Sequence, residues 1–331
     1  MSPSEGQPKR SLMLALLACA TGACAGPAVY VAGARAEGPS IVACVWKNGV
    51  CSDLPGPGGA QADALFVDRD GCCAAGACHL DSTASACCWV NGRRIALPGD
   101  GAHESWARAI AVSAGKVYVA GRYSNGNTTT ACLWIDGRRR DLPGPDGSGA
   151  ESIRIHNGHV YVSGYVNDIT TDHSACLWID GRRQELPGGT LGGSVASSVW
   201  VADDRVYAAG SYGNYAFLAP CCWIDGRLVP LPGGGKVNAI EVAHGTIQAA
   251  GFFGDESKRW APTACCWRDG VRATLPGAGE SSASALCLAG GKVYAAGSYD
   301  DGTRNVACYW TDGIRTDLAG GTRAAAIVVR P

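Results

Sequence analysis

Among 331 residues the chain has only 2 Met and 4 Phe, and charged side chains make up 17%. Beyond the N-terminus there is no long apolar run, and no ten residues keep a helical period without a glycine breaking it. The second absence argues against helical bundles and helical solenoids, because an amphipathic helix needs apolar residues at three- and four-residue steps. The first argues against a membrane-spanning helix after the leader, since crossing a bilayer takes about 20 apolar residues. Neither sign of charge dominates: 28 Lys and Arg stand against 29 Asp and Glu. Nucleic-acid surfaces carry a basic excess, so no nucleic-acid partner is expected. Catalytic signatures are missing too. There is no Gly-x-Ser-x-Gly elbow, no His-Glu-x-x-His, no phosphate-binding loop and no Cys-x-x-Cys pair, the spacings that place a nucleophile, a metal or a phosphate. The six histidines share no common position, and Asp68-Arg69-Asp70-Gly71 matches only the start of a calcium loop. No catalytic residue, metal ligand or cofactor is therefore assigned.

What the chain does have is repetition. Trp46, Trp89, Trp134, Trp178, Trp223, Trp267 and Trp310 recur every 43 to 45 residues. Each follows a Cys by two places, precedes an Asn-Gly or Asp-Gly pair, and is trailed by Leu-Pro-Gly or Leu-Ala-Gly. A fixed period of this length marks one supersecondary unit copied along the chain. Within a unit, short alternating or β-branched runs are bounded by Asn, Asp, Gly or Pro, the pattern of strands joined by tight hairpins. Four such strands fit each copy, here named A to D. Strand A carries Leu65, Ile110, Ile153, Val199, Ile240, Leu286 and Ile327; strand B ends in Gly33, Gly76, Gly121, Gly164, Gly210, Gly251 and Gly297. Strand C holds the Cys-x-Trp phrase, and strand D runs into Leu-Pro-Gly. Four strands in about 44 residues describe the blade of a β-propeller. The first copy begins at strand B (Val29 to Gly33) and the last ends after strand A (Ala324 to Val329). The spacing thus predicts an all-β, seven-bladed propeller over residues 26–331, closed by the C-terminal strand completing blade one.

Residues 1–25 stand outside the repeat. Lys9 and Arg10 precede the apolar stretch Leu12 to Ala20, and Ala23-Cys24-Ala25 supplies small residues for cleavage. This is the layout of a secretory signal peptide, with a lipoprotein variant anchored at Cys19 or Cys24 as an alternative. A secreted protein is expected, or a cell-surface or periplasmic one if lipidated. The Ala, Gly and Arg usage fits a GC-rich bacterial genome.

Seventeen cysteines in an exported chain suggest disulfides. Yet Cys44, Cys87, Cys132, Cys176, Cys221, Cys265 and Cys308 are equivalent positions on successive blades. Packed sheets lie about 10 Å apart, and a disulfide needs Cα atoms within about 7 Å. These seven are read as small buried side chains. In blade two, a loop centred by analogy with Asn125-Gly126 sets Cys73 against Cys88 as a disulfide candidate. Cys72, Cys73, Cys78 and His79 are a poor metal set, because adjacent strand residues point to opposite faces.

In a propeller the B-to-C and D-to-A loops share one face, and here they are the longer and more varied group. Binding groups concentrate on loops held by a rigid scaffold. Two residues past the strand B glycine stand Tyr123, Tyr212, Phe253 and Tyr299, near Asn125, Asp255, Asp300 and Asp301. These are the ligand-binding candidates: rings to stack on sugar faces, with polar groups to hydrogen-bond. Packing of the rings against the blade hairpins is the alternative. Trp200 and Glu241 share the strand A position of Arg154, and the three are channel candidates, although Trp200 equally suits packing between blades. Paired arginines on strand D, such as Arg138-Arg139, suit an edge that must resist sheet-to-sheet pairing.

The phrase Leu133-Trp134-Ile135-Asp136-Gly137, with Asp141-Leu142 after it, resembles the unit of the HAF family of extracellular bacterial repeats. The resemblance runs through all seven copies, with Cys and the Pro after Leu as departures. It implies an exported propeller without an assigned activity. A monomeric binding module for a glycan, a cell-wall component or a protein, engaged on the variable-loop face, is the expected function. The alternative is a polysaccharide hydrolase or lyase using channel carboxylates such as Glu241, Asp255 and Glu256, which needs two acidic groups about 5 to 10 Å apart. Whether the protein is an enzyme is left open. In a bacterial host the full chain should reach the periplasm or medium with Gly26 as its N-terminus by intact mass, or acylated at Cys19 or Cys24. A cytoplasmic product retaining residues 1–25 would overturn the leader reading.

Overall fold

A computed structural model describes residues 26–80, 83–167, 173–188, 192–214, 217–255 and 261–331. The leader with Cys19 and Cys24, and also Glu256 and Trp260, lie outside the described residues. Seven four-stranded antiparallel sheets run A-B-C-D from the inside outward. In blade one, strand A is Gly321–Arg330, paired with strand B, Ala28–Glu37, which pairs with Ser40–Lys47 and then Val50–Asp53. The inner strands touch in a closed cycle: Ser281–Ala289 of blade seven meets Gly321–Arg330, which meets Ala60–Val67 of blade two. This is the seven-bladed propeller that the repeat predicts.

The hairpins explain the Asn/Asp-Gly pairs. Asp136 and Gly137 have φ of 49° and 78°, the left-handed pair of a type I′ turn. The Asp136 carboxylate accepts the Val117 N–H at 2.9 Å, while the Asp136 N–H donates to the Val117 carbonyl at 2.9 Å. All seven C-to-D turns repeat this double contact. The side-chain oxygen, as well as tolerance of positive φ, selects Asn or Asp there.

The strand B glycines answer to a feature the sequence does not display. Strand A carries a one-residue bulge in every blade, at Asp63, Arg108, Glu151, Ser197, Asn238, Ser284 and Ala325. The bulge pushes a strand A carbonyl against strand B. A Cβ at any of the seven glycines would lie 1.9 to 2.0 Å from that oxygen, so only glycine fits.

Blades are joined through the tryptophans. All seven are at most 1% exposed. The indole N–H of Trp89, Trp134, Trp178, Trp223 and Trp310 donates to the carbonyl of Pro55, Pro98, Pro143, Pro187 and Pro276 at 2.8 to 2.9 Å. Each acceptor belongs to the Leu-Pro-Gly of the preceding blade. Buried serines add a second tie: the hydroxyls of Ser105, Ser148, Ser194 and Ser281 accept the N–H of Ala86, Ala131, Ala175 and Ala264. Trp46 and Trp267 differ, their indole nitrogens being buried without a hydrogen-bond partner among the described residues. At those two junctions the Leu-to-bulge link is seven residues long (Leu318 to Ala325, Leu231 to Asn238), against nine or eleven elsewhere. The shorter link leaves no carbonyl in reach, and Gly321 and Gly235 stand where the serine would be.

The seven repeat cysteines are all 0% exposed and unpaired. The expected facing of Cys73 and Cys88 is corrected: Cys73 pairs with Val90, and Cys88 with Ala75. The strand B glycine opposes the repeat cysteine in every blade, Gly76 with Cys87 here. That pairing fixes the register two residues away from the loop analogy and leaves Cys73 and Cys88 on a diagonal. Trp178→Phe should destabilise the protein by about 1–2 kcal/mol more than Trp267→Phe in urea melts, since only the first strands a carbonyl. Equal losses would show that the indole hydrogen bond contributes nothing.

Candidate functional site in the central channel

The rim comes first, because the sequence pointed there. Tyr123, Phe253 and Tyr299 are 9%, 9% and 6% exposed. Each ring is roofed by a strand D arginine: Arg139, Arg272 and Arg315 lie 3.8, 3.8 and 4.0 Å from the ring centres. The Tyr123 and Tyr299 hydroxyls donate to Asp141 and Asp317 at 3.1 Å, and those carboxylates also pair with Arg139 and Arg315. Tyr212 is half-buried, packed on the core cluster that includes Leu186, Ala196 and Trp223. The expected ring of open stacking platforms is therefore corrected. The arginine at the second position of strand D folds inward in these three blades, and cation–π contact with desolvation outweighs exposure of the ring. The neighbouring polar candidates are occupied by their own turns. Asn125 accepts the N–H groups of Asn127 and Thr128, and Asp300 that of Gly302. Asp301 accepts from Thr303 and Arg304, and the Thr303 hydroxyl is the main cause that holds its carboxyl below the usual range. Asp255 pairs through its backbone with Ala261; its side chain is outside the described set.

The bulges carry side chains that sequence reasoning passed over. Arg108 bridges Asp63 at 4.0 Å and Glu151 at 3.5 Å, and Arg323 also contacts Asp63. Arg122 reaches Glu151 at 3.2 Å and lies 4.9 Å over the Trp106 ring. Asn238 donates to the Ala283 carbonyl at 2.9 Å. Lys236 close by is lowered by burial, against the pull of Glu151. The result is a charged collar on the variable-loop side of the channel. One signal marks it: counting 13 residues back from each of the glycines 76 to 297 returns Asp63, Arg108, Glu151, Ser197, Asn238 and Ser284. That column breaks an otherwise Ala- and Ser-rich strand.

Three residues further along strand A, the seven equivalent positions are Val328, Phe66, Ala111, Arg154, Trp200, Glu241 and Cys287. All line a cavity of about 440 Å³ at the hairpin end of the channel. The three channel candidates thus meet in one chamber, from three consecutive blades. Arg154 stacks on Trp200 at 3.7 Å, and the Trp200 indole donates to the Val242 carbonyl at 3.1 Å. The Arg154 Nε is buried without a hydrogen-bond partner among the described residues. Burial lowers the Arg154 pKa, partly offset by Glu241. Glu241 Oε2 accepts the Leu288 N–H at 2.8 Å, yet burial prevails and pushes its carboxyl up to about 7. The remaining wall includes apolar residues such as Leu65, Phe66, Ile110 and Ile327. The chamber therefore offers one unsatisfied buried donor, the Arg154 Nε, a carboxyl pushed up to about 7, and a lining of mixed polarity that also includes Arg330.

No family model and no curated protein matches the chain. Solved structures do. The β-propeller domain of the Trilobed protease from Pyrococcus furiosus aligns at 12% identity and TM-score 0.52, over 89% of this chain and 94% of that one. That domain is described as having an open velcro topology, whereas here the C-terminal strand completes blade one. An acylaminoacyl peptidase aligns at 12% identity and TM-score 0.50 over 88% of this chain, which spans half of the peptidase's length. YjhT aligns at 12% identity and TM-score 0.47, over 80% and 99% of the two chains. Likeness at these identities shows the fold alone.

Because the folded-state pKa of Glu241 is raised from 4.5 to about 7, the native protein holds a proton that the unfolded chain releases. Its favourable contribution is complete below pH 4.5 and is lost as pH rises through 7. Glu241→Gln should therefore gain on the wild type between pH 5 and pH 8, by on the order of 2–3 kcal/mol. A stability difference that stays constant over that range in thermal melts would sink the buried-carboxyl assignment.

Proposed function

We propose that the protein is an exported binding module whose ligand, a glycan or a peptide segment bearing a charged group, is held in the central channel. One observation carries this reading: Arg154, Trp200 and Glu241 converge on a chamber of about 440 Å³, within the usual range of ligand pockets. Stacking on Trp200 pre-orders the guanidinium while leaving its in-plane N–H groups for a carboxylate or hydroxyls. Glu241 accepts from an ammonium or hydroxyl when ionised and donates when protonated. The covered rings of Tyr123, Phe253 and Tyr299 support a site in the channel over one at the variable-loop lip, with the charged collar as its other mouth.

Export rests on the leader layout of residues 1–25 and on the likeness of the unit to HAF-type extracellular repeats. Residues 26–331 would then be the mature monomeric propeller, free or anchored through Cys19 or Cys24. The hydrolase or lyase alternative draws on a single observation, a carboxyl pushed up to about 7 at Glu241, which suits a general acid. A hydrolytic pair needs a second acid, and Glu241 is the one carboxylate among the residues lining this cavity.

The test is a glycan array, a polysaccharide pull-down and a charged-peptide panel. The full-length protein is compared with Arg154→Gln/Glu241→Gln, Trp200→Leu and Tyr212→Ala. At least tenfold weaker binding by both channel variants, with Tyr212→Ala unaffected, is the expected result. Loss with Tyr212→Ala alone would return the site to the rim. Release of new reducing ends from a bound polysaccharide would replace binding by catalysis.

A further inference from the structure

Blade two departs from its sister blades where the rim clusters form. Two residues past the strand B glycine, the other blades carry Arg35, Tyr123, Val166, Tyr212, Phe253 and Tyr299; blade two carries Cys78. Its strand D neighbour is Arg94, the counterpart of the Arg139 that roofs Tyr123. With a thiol in place of the ring, the space beneath the arginine holds Cys78 and the repeat cysteine Cys87. Their sulfurs are 3.2 Å apart, and both residues are 0% exposed. Gly56 closes the pocket from outside, since a Cβ there would lie 2.9 Å from the Cys78 sulfur. Every blade has a cysteine at the position of Cys87, but only here does a second one occupy the rim position across from it.

We propose that Cys78 and Cys87 are a disulfide-forming pair that covalently ties strand B to strand C in blade two. The register sets them on a diagonal, with Gly76 opposite Cys87 and Cys78 opposite Ser85. The sulfurs must close from 3.2 Å to about 2.05 Å, a shift that side-chain rotation supplies when sulfurs already touch. The chemistry is ordered. The hydrogen bond from Cys87, aided by the Arg94 guanidinium, outweighs burial and brings the Cys78 thiol down to about 7, while Cys87 is pushed far up. Cys78 is the attacking thiolate. It displaces one thiolate from a disulfide oxidant such as oxidised glutathione, forming a mixed disulfide. The Cys87 thiol then releases its proton to solvent, and its sulfur attacks the Cys78 sulfur and expels the second thiolate. Two protein thiols lose two electrons, and one external disulfide becomes two thiols. Because both sulfurs are enclosed in the finished blade, the reaction belongs to its assembly, after strands B, C and D have paired and set Cys87 and Arg94 beside Cys78 and before the Gly56 segment covers the sulfurs. The completed bridge is shielded from reductants.

Other neighbouring thiols lack this arrangement. Burial is the largest influence on Cys44, Cys51, Cys73 and Cys88, and all four are pushed up, so none is a ready thiolate.

The full-length chain should be denatured under reductant and refolded in a buffer of oxidised and reduced glutathione. After quenching with acid and alkylation, it is mapped by peptide mass spectrometry. The expected result is a peptide linking Cys78 to Cys87, two mass units lighter than its reduced form. The oxidised protein should melt several degrees above the reduced one, a gain absent from Cys78→Ala and Cys87→Ala. Complete alkylation of both cysteines in refolded wild-type protein would overturn the proposal, whatever the variants do. So would a bridge of Cys44 with Cys51 or of Cys73 with Cys88 in its place.

Discussion

Burial of the seven repeat tryptophans against the preceding blade, backed in five of them by an indole-to-proline-carbonyl hydrogen bond, is what the rest of this ring is built around. A propeller blade buries both faces against its neighbours, so its energetics are a sum of nearest-neighbour interfaces. An indole that is almost fully buried must also find an acceptor for its N–H. Both halves of the contact belong to the repeated phrase, the tryptophan on strand C and the acceptor at the end of strand D. Copying the phrase therefore copies the interface. Trp46 and Trp267 show the rule from the other side: where the link to strand A drops to seven residues, the acceptor is lost although the tryptophan stays buried. Packing alone retains the ring there, and the hydrogen bond is an addition to it.

A second constraint makes the channel available to non-repeating chemistry. The strand A bulge breaks the ladder in every blade, with a second break in blade one, and the glycine opposite absorbs the displaced carbonyl. A bulge bends a strand and re-aims a side chain, here at the start of the strand nearest the axis. Stability rests on the conserved phrase of strands B to D, leaving strand A positions free to differ from blade to blade. Asp63, Arg108 and Glu151 are linked by ion pairs across blades two to four, and Arg154, Trp200 and Glu241 follow on blades four to six. A sevenfold scaffold thus carries a lopsided site.

The rim follows a different logic. Aromatic residues beside strand D arginines satisfy one another in blades three, six and seven, through ring-to-guanidinium contact backed by Asp141 and Asp317 in two of them. In blade one the same place is taken by Arg35, paired with Asp53 at 2.7 Å. Blade two substitutes a thiol for the ring, which gives Arg94 a sulfur to stabilise instead of a π face. One local slot is thus used for cation–π contact, for an ion pair and for sulfur chemistry without change to the backbone.

Blade count, hairpin chemistry, ring closure and the shared strand A position of Arg154, Trp200 and Glu241 were legible in the sequence, because each depends on spacing that a repeat makes explicit; that Trp200 lines the chamber with the other two was not. Asn/Asp-Gly pairs state their own turn geometry, and equivalent positions in equivalent blades must lie at the same depth in the ring. The tertiary structure alone decided three things. It decided that Tyr123, Phe253 and Tyr299 are covered, because whether an arginine extends to solvent or folds over a ring depends on contacts across strands. It decided that Cys78, and not Cys73, meets its partner, because register is set by the glycine-to-cysteine pairing, which puts Cys73 opposite Val90, two residues beyond Cys88. It also revealed the bulge and with it what the column 13 residues before each glycine does, since an extra residue in a strand takes on a meaning only when the strand has something to pair with.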